Sequence, residues 1–183
     1  KTGGVAIAFV GDGGSNQGTT FEAMNLATVW KLPAIFIFEN NGYAEATSSK
    51  FSVSSGDIVK RAEGFGMPGK IVDGHDFFAV YEAAQEAIDR ARNGEGPTLL
   101  EFKLNRYYGH FEGDAQTYRA KDEVKQLREQ KDCLARFRTR VSETGLLEVE
   151  QLDAIDGEVA RLVEDAVAKA KAAPYPKPEA LFT

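Results

Sequence analysis

Two apolar runs that end in polar, glycine-bearing turns constrain this chain more than any other feature. Val5 to Val10 feeds into Gly11-Asp12-Gly13-Gly14-Ser15-Asn16-Gln17-Gly18, and Ala34 to Phe38 feeds into Glu39-Asn40-Asn41. Between them, Asn16 to Leu32 carries Phe21, Met24 or Asn25, Ala27 or Thr28 and Trp30 at helical spacing, which predicts one crossover helix. A strand–helix–strand unit of this length makes the two strands parallel and brings their carboxyl ends side by side. Open α/β sheets bind ligands at that edge.

The residue types at the edge narrow the chemistry. Glycines admit a ligand close to the backbone, and free N–H groups at a helix start attract an anion such as phosphate. Asp12 places a carboxylate in the same cradle, which repels a diphosphate unless a cation lies between them. Hard oxygen donors (the Asp12 carboxylate, the Asn41 amide oxygen, a backbone carbonyl, diphosphate oxygens) suit Mg²⁺. The spacing therefore predicts a metal-bridged diphosphate. Taken alone, Gly-Asp-Gly is a common turn, and Asn41-Gly42 is a tight turn more often than a ligand. A dinucleotide fingerprint competes, with Glu39 as the ribose-binding acid. That fingerprint wants glycine where Asn16 stands and has no use for Asp12. No Gly-Lys-Ser/Thr follows, which excludes a P-loop.

Gly11-Asp12-Gly13 followed at this distance by Asn40-Asn41 resembles the thiamine diphosphate-binding motif. The longer string from Gly11 through Phe21-Glu22-Ala23-Met24-Asn25-Leu26-Ala27 to Trp30-Lys31-Leu32-Pro33 is similar to the alpha subunit of the first, dehydrogenase component of 2-oxo acid dehydrogenase complexes. The likeness runs from about Val5 to Arg119 and more weakly beyond. Asn40 to Thr47 and Arg106 to Asp114 look most like the acetoin dehydrogenase branch. The resemblance implies that Asp12, the Asn41 side chain and the Tyr43 carbonyl bind Mg²⁺. It places Gly11, Gly13 and Gly14 at the diphosphate, and His110, the catalytic candidate, on a loop lining the thiamine pocket. Phe111-Glu112-Gly113 stand where pyruvate and branched-chain relatives carry a serine-bearing segment, so kinase control of that kind is not expected.

The same resemblance implies a beta subunit that supplies the activating glutamate, as an α2β2 assembly. Glu22 and Glu39 lie on the metal side and are poor candidates for that acid. It further implies a lipoyl-bearing acyltransferase partner and acetoin as the small-molecule substrate, with pyruvate or branched-chain 2-oxo acids as alternatives. A nicotinamide-dependent oxidoreductase and a non-catalytic assembly scaffold are the readings from other classes. Such alpha subunits carry a long portion before the Gly-Asp-Gly strand. This chain opens on Lys1-Thr2-Gly3-Gly4 and passes at once into a strand, which predicts a fragment holding part of the cofactor site.

The rest of the chain predicts an α/β fold, an open, mostly parallel sheet with helices on both faces. The expected organisation is a cofactor-binding α/β part, 1–119, and a C-terminal helical segment with a proline-rich tail, 120–183. Asp57 to Phe65 reads as a short helix and Lys70 to Val72 as a strand. Asp76 to Asn93 reads as an amphipathic helix capped by Asp76, with Phe77, Val80, Tyr81, Ala84, Ala87, Ile88 and Ala91 on its apolar face. Pro97 to Leu104 reads as a strand, Asn105 to Arg119 as a functional loop, and Lys121 to Thr144 and Glu148 to Ala172 as two helices. Trp30 is expected to fill core or an interface, Cys133 to pack in a helix, and His75 to be structural or exposed.

With 28 acidic against 22 basic side chains, the net charge of −6 is spread along the chain without a basic cluster. Nucleic acid and anionic membranes are not expected partners. No apolar run approaches a membrane span, and no signal peptide is expected. A single cysteine excludes an internal disulfide, so a cytoplasmic setting is expected.

Overall fold

The computed structural model describes residues 2–182. In chain order its elements are β1 (Ala6–Gly11), α1 (Gly18–Val29), β2 (Ala34–Asn40), β3 (Tyr43–Ala44), β4 (Thr47–Ser48), α2 (Ser49–Ser52), α3 (Lys60–Glu63), β5 (Gly69–Asp73), α4 (Phe77–Arg92), β6 (Thr98–Lys103), α5 (Glu123–Lys131), α6 (Cys133–Glu143) and α7 (Val149–Ala172). The chain divides after Arg136 into two compact units.

In the first unit, β1, β2, β6 and β5 form a parallel sheet in that order, with Gly11 opposite Glu39 and Asn40 opposite Lys103. The expected α/β class and parallel sheet are therefore found. The chain steps from β1 to its neighbour β2, leaves for the far edge as β5, and returns through α4 to place β6 in the gap. β2 and β6 are thus covered on both faces and read as nearly unbroken apolar runs. Side-chain alternation sends Phe36, Phe38 and Leu99 to one face, where Met24 and Ala27 of α1, Val53, Ile58, Ala62 and Met67 complete the core. Ile35, Ile37, Leu100, Phe102 and Val72 face the other way onto Ala83 and Ala87 of α4.

Several element limits differ from expectation for local reasons. The crossover helix starts at Gly18 because Gly14–Asn16 forms a 3-10 turn and Gln17 is extended. Between Asp57 and Phe65 only Lys60–Glu63 is helical, since Gly64 and the left-handed Gly66 stop it. The helix expected over Lys121 to Thr144 is two helices. Asp132 is extended between them, and its Oδ1 accepts from the N–H groups of Leu134 and Ala135 at 2.9 and 3.2 Å, capping α6. In the tail, Pro178–Phe182 winds into a 3-10 turn.

Asp76 caps α4 as expected, accepting from Phe78 and Ala79 at 3.0 and 3.3 Å. The buried stripe of α4 is Ala83-Ala87-Ala91, with Val80 and Ile88 half-buried; Phe77 and Tyr81 are exposed. Small residues win the contact because α4 lies directly on the sheet. Trp30 is exposed and takes no part in the core of this unit, and Cys133 is exposed rather than packed. His75 is buried, bracketed by Asp73 Oδ1 on Nδ1 at 2.9 Å and Asn105 Nδ2 on Nε2 at 2.6 Å.

In the second unit, a capping box between Glu148 and Gln151 starts α7. Arg138 pairs with Asp153 and Asp156, and Val141 and Leu152 are buried. Among the described residues no helix is long and apolar enough to cross a membrane.

Candidate functional site

The carboxyl ends of β1 and β2 carry the two predicted turns. Asp12, the first residue past β1, is 1% exposed. The turn after it is tied inward: Ser15 Oγ donates to the Asp12 carbonyl at 2.6 Å, and Thr20 Oγ1 to the Gly14 carbonyl at 3.0 Å. Arg61 clamps the same turn from outside. Its guanidinium donates to the Ser15 carbonyl and Oγ (2.6 and 3.0 Å) and to Asn16 Oδ1 (2.7 Å), and stacks over Phe21.

Asn40 is buried at the end of β2, and its Oδ1 accepts from Gly42 N at 3.2 Å. Asn41 Oδ1 accepts from Tyr43 N at 3.0 Å, so the two asparagines form consecutive turns on their own backbone. Gly42 has φ 89°, which favours glycine at this corner. The chain then enters the β3–β4 hairpin, and this hairpin comes against the glycine loop. A Cβ placed on Gly13 would lie 2.5 Å from the Cβ of Ala44.

The loop after β6 completes the site, and Arg106 organises it. Its guanidinium reaches Tyr118 Oη at 2.6 Å, the Glu45 carbonyl at 2.9 Å, and both the Tyr43 carbonyl and His110 Nδ1 at 3.5 Å. Arg119 lies over the rings of Tyr43 and Tyr118 and donates to the Arg106 carbonyl at 2.6 Å. His110 itself is exposed. Asp114 fixes its backbone, accepting from His110 N (2.8 Å), Gln116 N (2.9 Å) and Tyr118 Oη (2.7 Å). Those three donors hold the Asp114 carboxyl down at about 2. A carboxylate with a depressed value stabilises its surroundings above its free value of 3.8, and loses that effect as pH falls toward 2. The expected result is that Asp114→Asn at neutral pH speeds hydrogen exchange at the His110 amide, with unchanged exchange in β2 and β6. Equal rates in variant and wild type would contradict this role.

Electrostatics single out Asp12. Burial pushes its carboxyl up, against the backbone N–H groups of Asp12 and Gly13 and the nearby charge of Arg106. Its Oδ2 is buried and has no hydrogen-bond partner among the described residues. A buried acceptor left unsatisfied is costly, more so when charged. A divalent cation in contact with Oδ2 would remove that cost. The remaining oxygens at hand, Asn41 Oδ1 and the Tyr43 carbonyl, are hard neutral donors of the kind Mg²⁺ accepts. Among the described residues no group of three or more His, Cys, Asp or Glu could hold a metal. A transition-metal centre built from those side chains alone therefore does not fit, whereas one carboxylate plus neutral oxygens and a ligand's phosphate does.

Thus Asp12, Gly13, Tyr43 and His110 are drawn together through Arg106 and Ala44, with Asn41 on the turn beside them. Several participants had no role in the sequence reading, among them Arg61, Ala44, Arg106 and Arg119. Arg106 lay inside the quoted Arg106-to-Asp114 stretch, and that position is a usable signal.

The dehydrogenase E1 component family profile matches residues 1–179. The chain is 59% identical over 181 residues to the alpha subunit of acetoin:2,6-dichlorophenolindophenol oxidoreductase from Cupriavidus necator, covering 99% of this chain and 54% of that protein. The subunit of the same name from Bacillus subtilis is 47% identical over 184 residues, 100% of this chain and 54% of its own length. The pyruvate dehydrogenase E1 component alpha subunit of Rhizobium meliloti is 41% identical, with 98% and 51% covered. The chain thus spans about half the length of the curated relatives it matches.

Proposed function

Because the chain belongs to the dehydrogenase E1 component family, we propose that it is the Mg²⁺- and thiamine diphosphate-binding part of an alpha-type subunit acting on acetoin. The observation that carries this reading is the partnerless, buried Asp12 Oδ2 at the carboxyl end of β1. In this reading Asp12, Asn41 Oδ1 and the Tyr43 carbonyl hold Mg²⁺. The N–H groups of Gly13 and Gly14 face the diphosphate. When bound, thiamine diphosphate supplies a nucleophilic carbon for attack on a carbonyl.

The chain's own residues do the positioning. Arg106 holds the hairpin carbonyls and sets the His110 ring, while Asp114 fixes the backbone beneath it. His110 offers an imidazole able to hold or move a proton. In the net reaction the bond between the carbonyl and carbinol carbons of acetoin breaks and acetaldehyde leaves. The acetyl unit ends as a thioester on a lipoyl group, whose disulfide is reduced. A beta subunit supplying the activating glutamate in an α2β2 assembly, a lipoyl acyltransferase and a cytoplasmic setting complete the proposal.

Acetoin is favoured because the relatives at 59% and 47% identity bear its name, against 41% for the one named for pyruvate. The test is turnover by the protein in its native assembly, with acetoin, pyruvate and branched-chain 2-oxo acids compared using an artificial electron acceptor. Acetoin turnover that needs both Mg²⁺ and thiamine diphosphate is the expected result. A preference for a 2-oxo acid would move the substrate to that branch. Activity needing a nicotinamide instead would overturn the cofactor.

A further inference from the structure

The sixth strand carries a charged group that the proposed chemistry leaves unused. Glu101 is fully buried on the face of β6 shared with Leu99, among the core under α1. Its carboxylate has three donors. Oε1 accepts from Asn40 Nδ2 at 2.7 Å and from Lys103 Nζ at 2.6 Å, and Oε2 accepts from Val59 N at 2.8 Å. Lys103 also reaches Asp57 Oδ1 at 2.9 Å, so the negative charge has a cation within a closed network. A buried carboxylate is expensive to desolvate even when it is paired. Its presence calls for a use, and its partners indicate one.

The two donors other than lysine lead to the two halves of the candidate metal site. The first path runs through Asn40. With Nδ2 held by Glu101, the amide must turn Oδ1 toward Gly42 N, which fixes the corner before Tyr43 and beside Asn41. The second path runs through Val59, the residue before α3. Holding its N–H places the first turn of α3, from which Arg61 reaches the Ser15 carbonyl and Oγ; Ser15 Oγ in turn donates to the Asp12 carbonyl. Arg61 feels the charge of Glu101 as well.

We infer that Glu101 is a positioning residue that fixes the turn bearing Asn41 and Tyr43 and the turn bearing Asp12 relative to one another, and so sets the affinity of the site for a divalent cation. The inference rests on the Mg²⁺ reading of Asp12, Asn41 and Tyr43 given above. Outer partners of metal ligands act in this way because they hold ligand oxygens at one separation, and their loss typically costs metal affinity about 10–100-fold.

The experiment measures the Mg²⁺ concentration that half-saturates thiamine diphosphate binding, by calorimetry on the protein in its native assembly. It compares wild type, Glu101→Gln and Arg61→Lys, with the thermal midpoint of each ligand-free form recorded alongside. Glutamine keeps the shape but turns a donor toward Val59 N or Asn40 Nδ2. Lysine keeps the Arg61 charge but cannot bridge Ser15 and Asn16 with a rigid fork. Both variants are expected to raise the half-saturating Mg²⁺ by about 10-fold, the low end for outer partners. Adding Mg²⁺ is expected to restore full stoichiometry. A merely structural role would lower the thermal midpoint and leave the Mg²⁺ requirement of the folded fraction unchanged. If Glu101→Gln does not fold, Glu101→Asp decides under the same threefold criterion, because the shorter carboxylate keeps the charge but cannot span both Asn40 and Val59. A folded variant whose Mg²⁺ requirement stays within about threefold of wild type overturns the inference. Wild-type binding that is itself indifferent to Mg²⁺ overturns the metal reading first and this inference with it.

Discussion

Asp12→Asn is expected to abolish Mg²⁺-dependent thiamine diphosphate binding while making the ligand-free protein more stable. The two effects share one cause. The carboxyl is buried with Oδ2 unpartnered, and burial has raised its proton affinity above the free value of 3.8. A group with a raised folded-state value contributes stability that is fully present below 3.8 and lost as pH rises through the folded value. Above that pH the charge is therefore a penalty in the empty site, and a neutral amide of the same shape relieves it. The amide still leaves one unpartnered polar group there, so the gain comes from removing the buried charge and is expected at the low end, about 1 kcal/mol. The loss on the binding side is larger, because the one full charge facing the cation is gone. A decrease in Mg²⁺ affinity beyond about 100-fold is expected, the upper end for residues that act on the metal only indirectly. Chemical denaturation of the ligand-free protein and calorimetric titration with the cofactor, each at neutral pH, check both halves. A variant that is destabilised when empty, or whose Mg²⁺ affinity stays within about 100-fold of wild type, would show that Asp12 is a structural acid.

Gly13→Ala is expected to disable the site by steric means alone. Gly13 has φ −66° and ψ −48°, which alanine adopts freely, so no backbone strain enters. What alanine cannot do is share space with the hairpin, since its Cβ would lie 2.5 Å from that of Ala44. The glycine loop and the hairpin must move apart, at a cost of about 1–3 kcal/mol for overpacking. That separation displaces Tyr43 from Asp12 and is expected to remove cofactor binding. Ala44→Gly supplies the control. With that methyl gone the next atom is the Ala44 Cα at 3.7 Å, an ordinary contact. The double variant should thus regain both stability and binding. Denaturation midpoints and calorimetry on the two single variants and the double variant close the cycle. Failure of Ala44→Gly to rescue would show that Gly13 serves by admitting a ligand rather than by admitting the hairpin.

Much of the frame was legible in advance because it depends on local pattern. The apolar runs at Val5 and Ala34, with a crossover between them, predict two parallel strands, and β1 and β2 do pair in that way. Asp76 could be read as a cap because side-chain capping spans three residues. The long helix expected from Lys121 failed at Asp132 for the complementary reason. Both its flanks are good helix formers, and only the competing bonds from its own carboxylate reveal the break. The apolar face of α4 was misjudged at Phe77 and Tyr81. Periodicity says which residues share a side, and the closeness of the sheet decides which of them fit beneath the helix.

By itself, the sequence determined the parallel α/β frame and the two turns at one sheet edge. Each of these is set by periodicity, glycine placement and charge within a few residues. Only the tertiary structure decided how that edge becomes a site. Arg106 meets the hairpin carbonyls across 61 and 63 residues, and Glu101 meets Asn40 across 61. The Cβ space at Gly13 belongs to Ala44. Such contacts depend on strand order, and the return of β6 into the gap beside β2 is what brings Glu101 to Asn40 and Arg106 to the hairpin and Asp12. No local pattern encodes that return, because it is the burial of both faces of β2 and β6 that favours it.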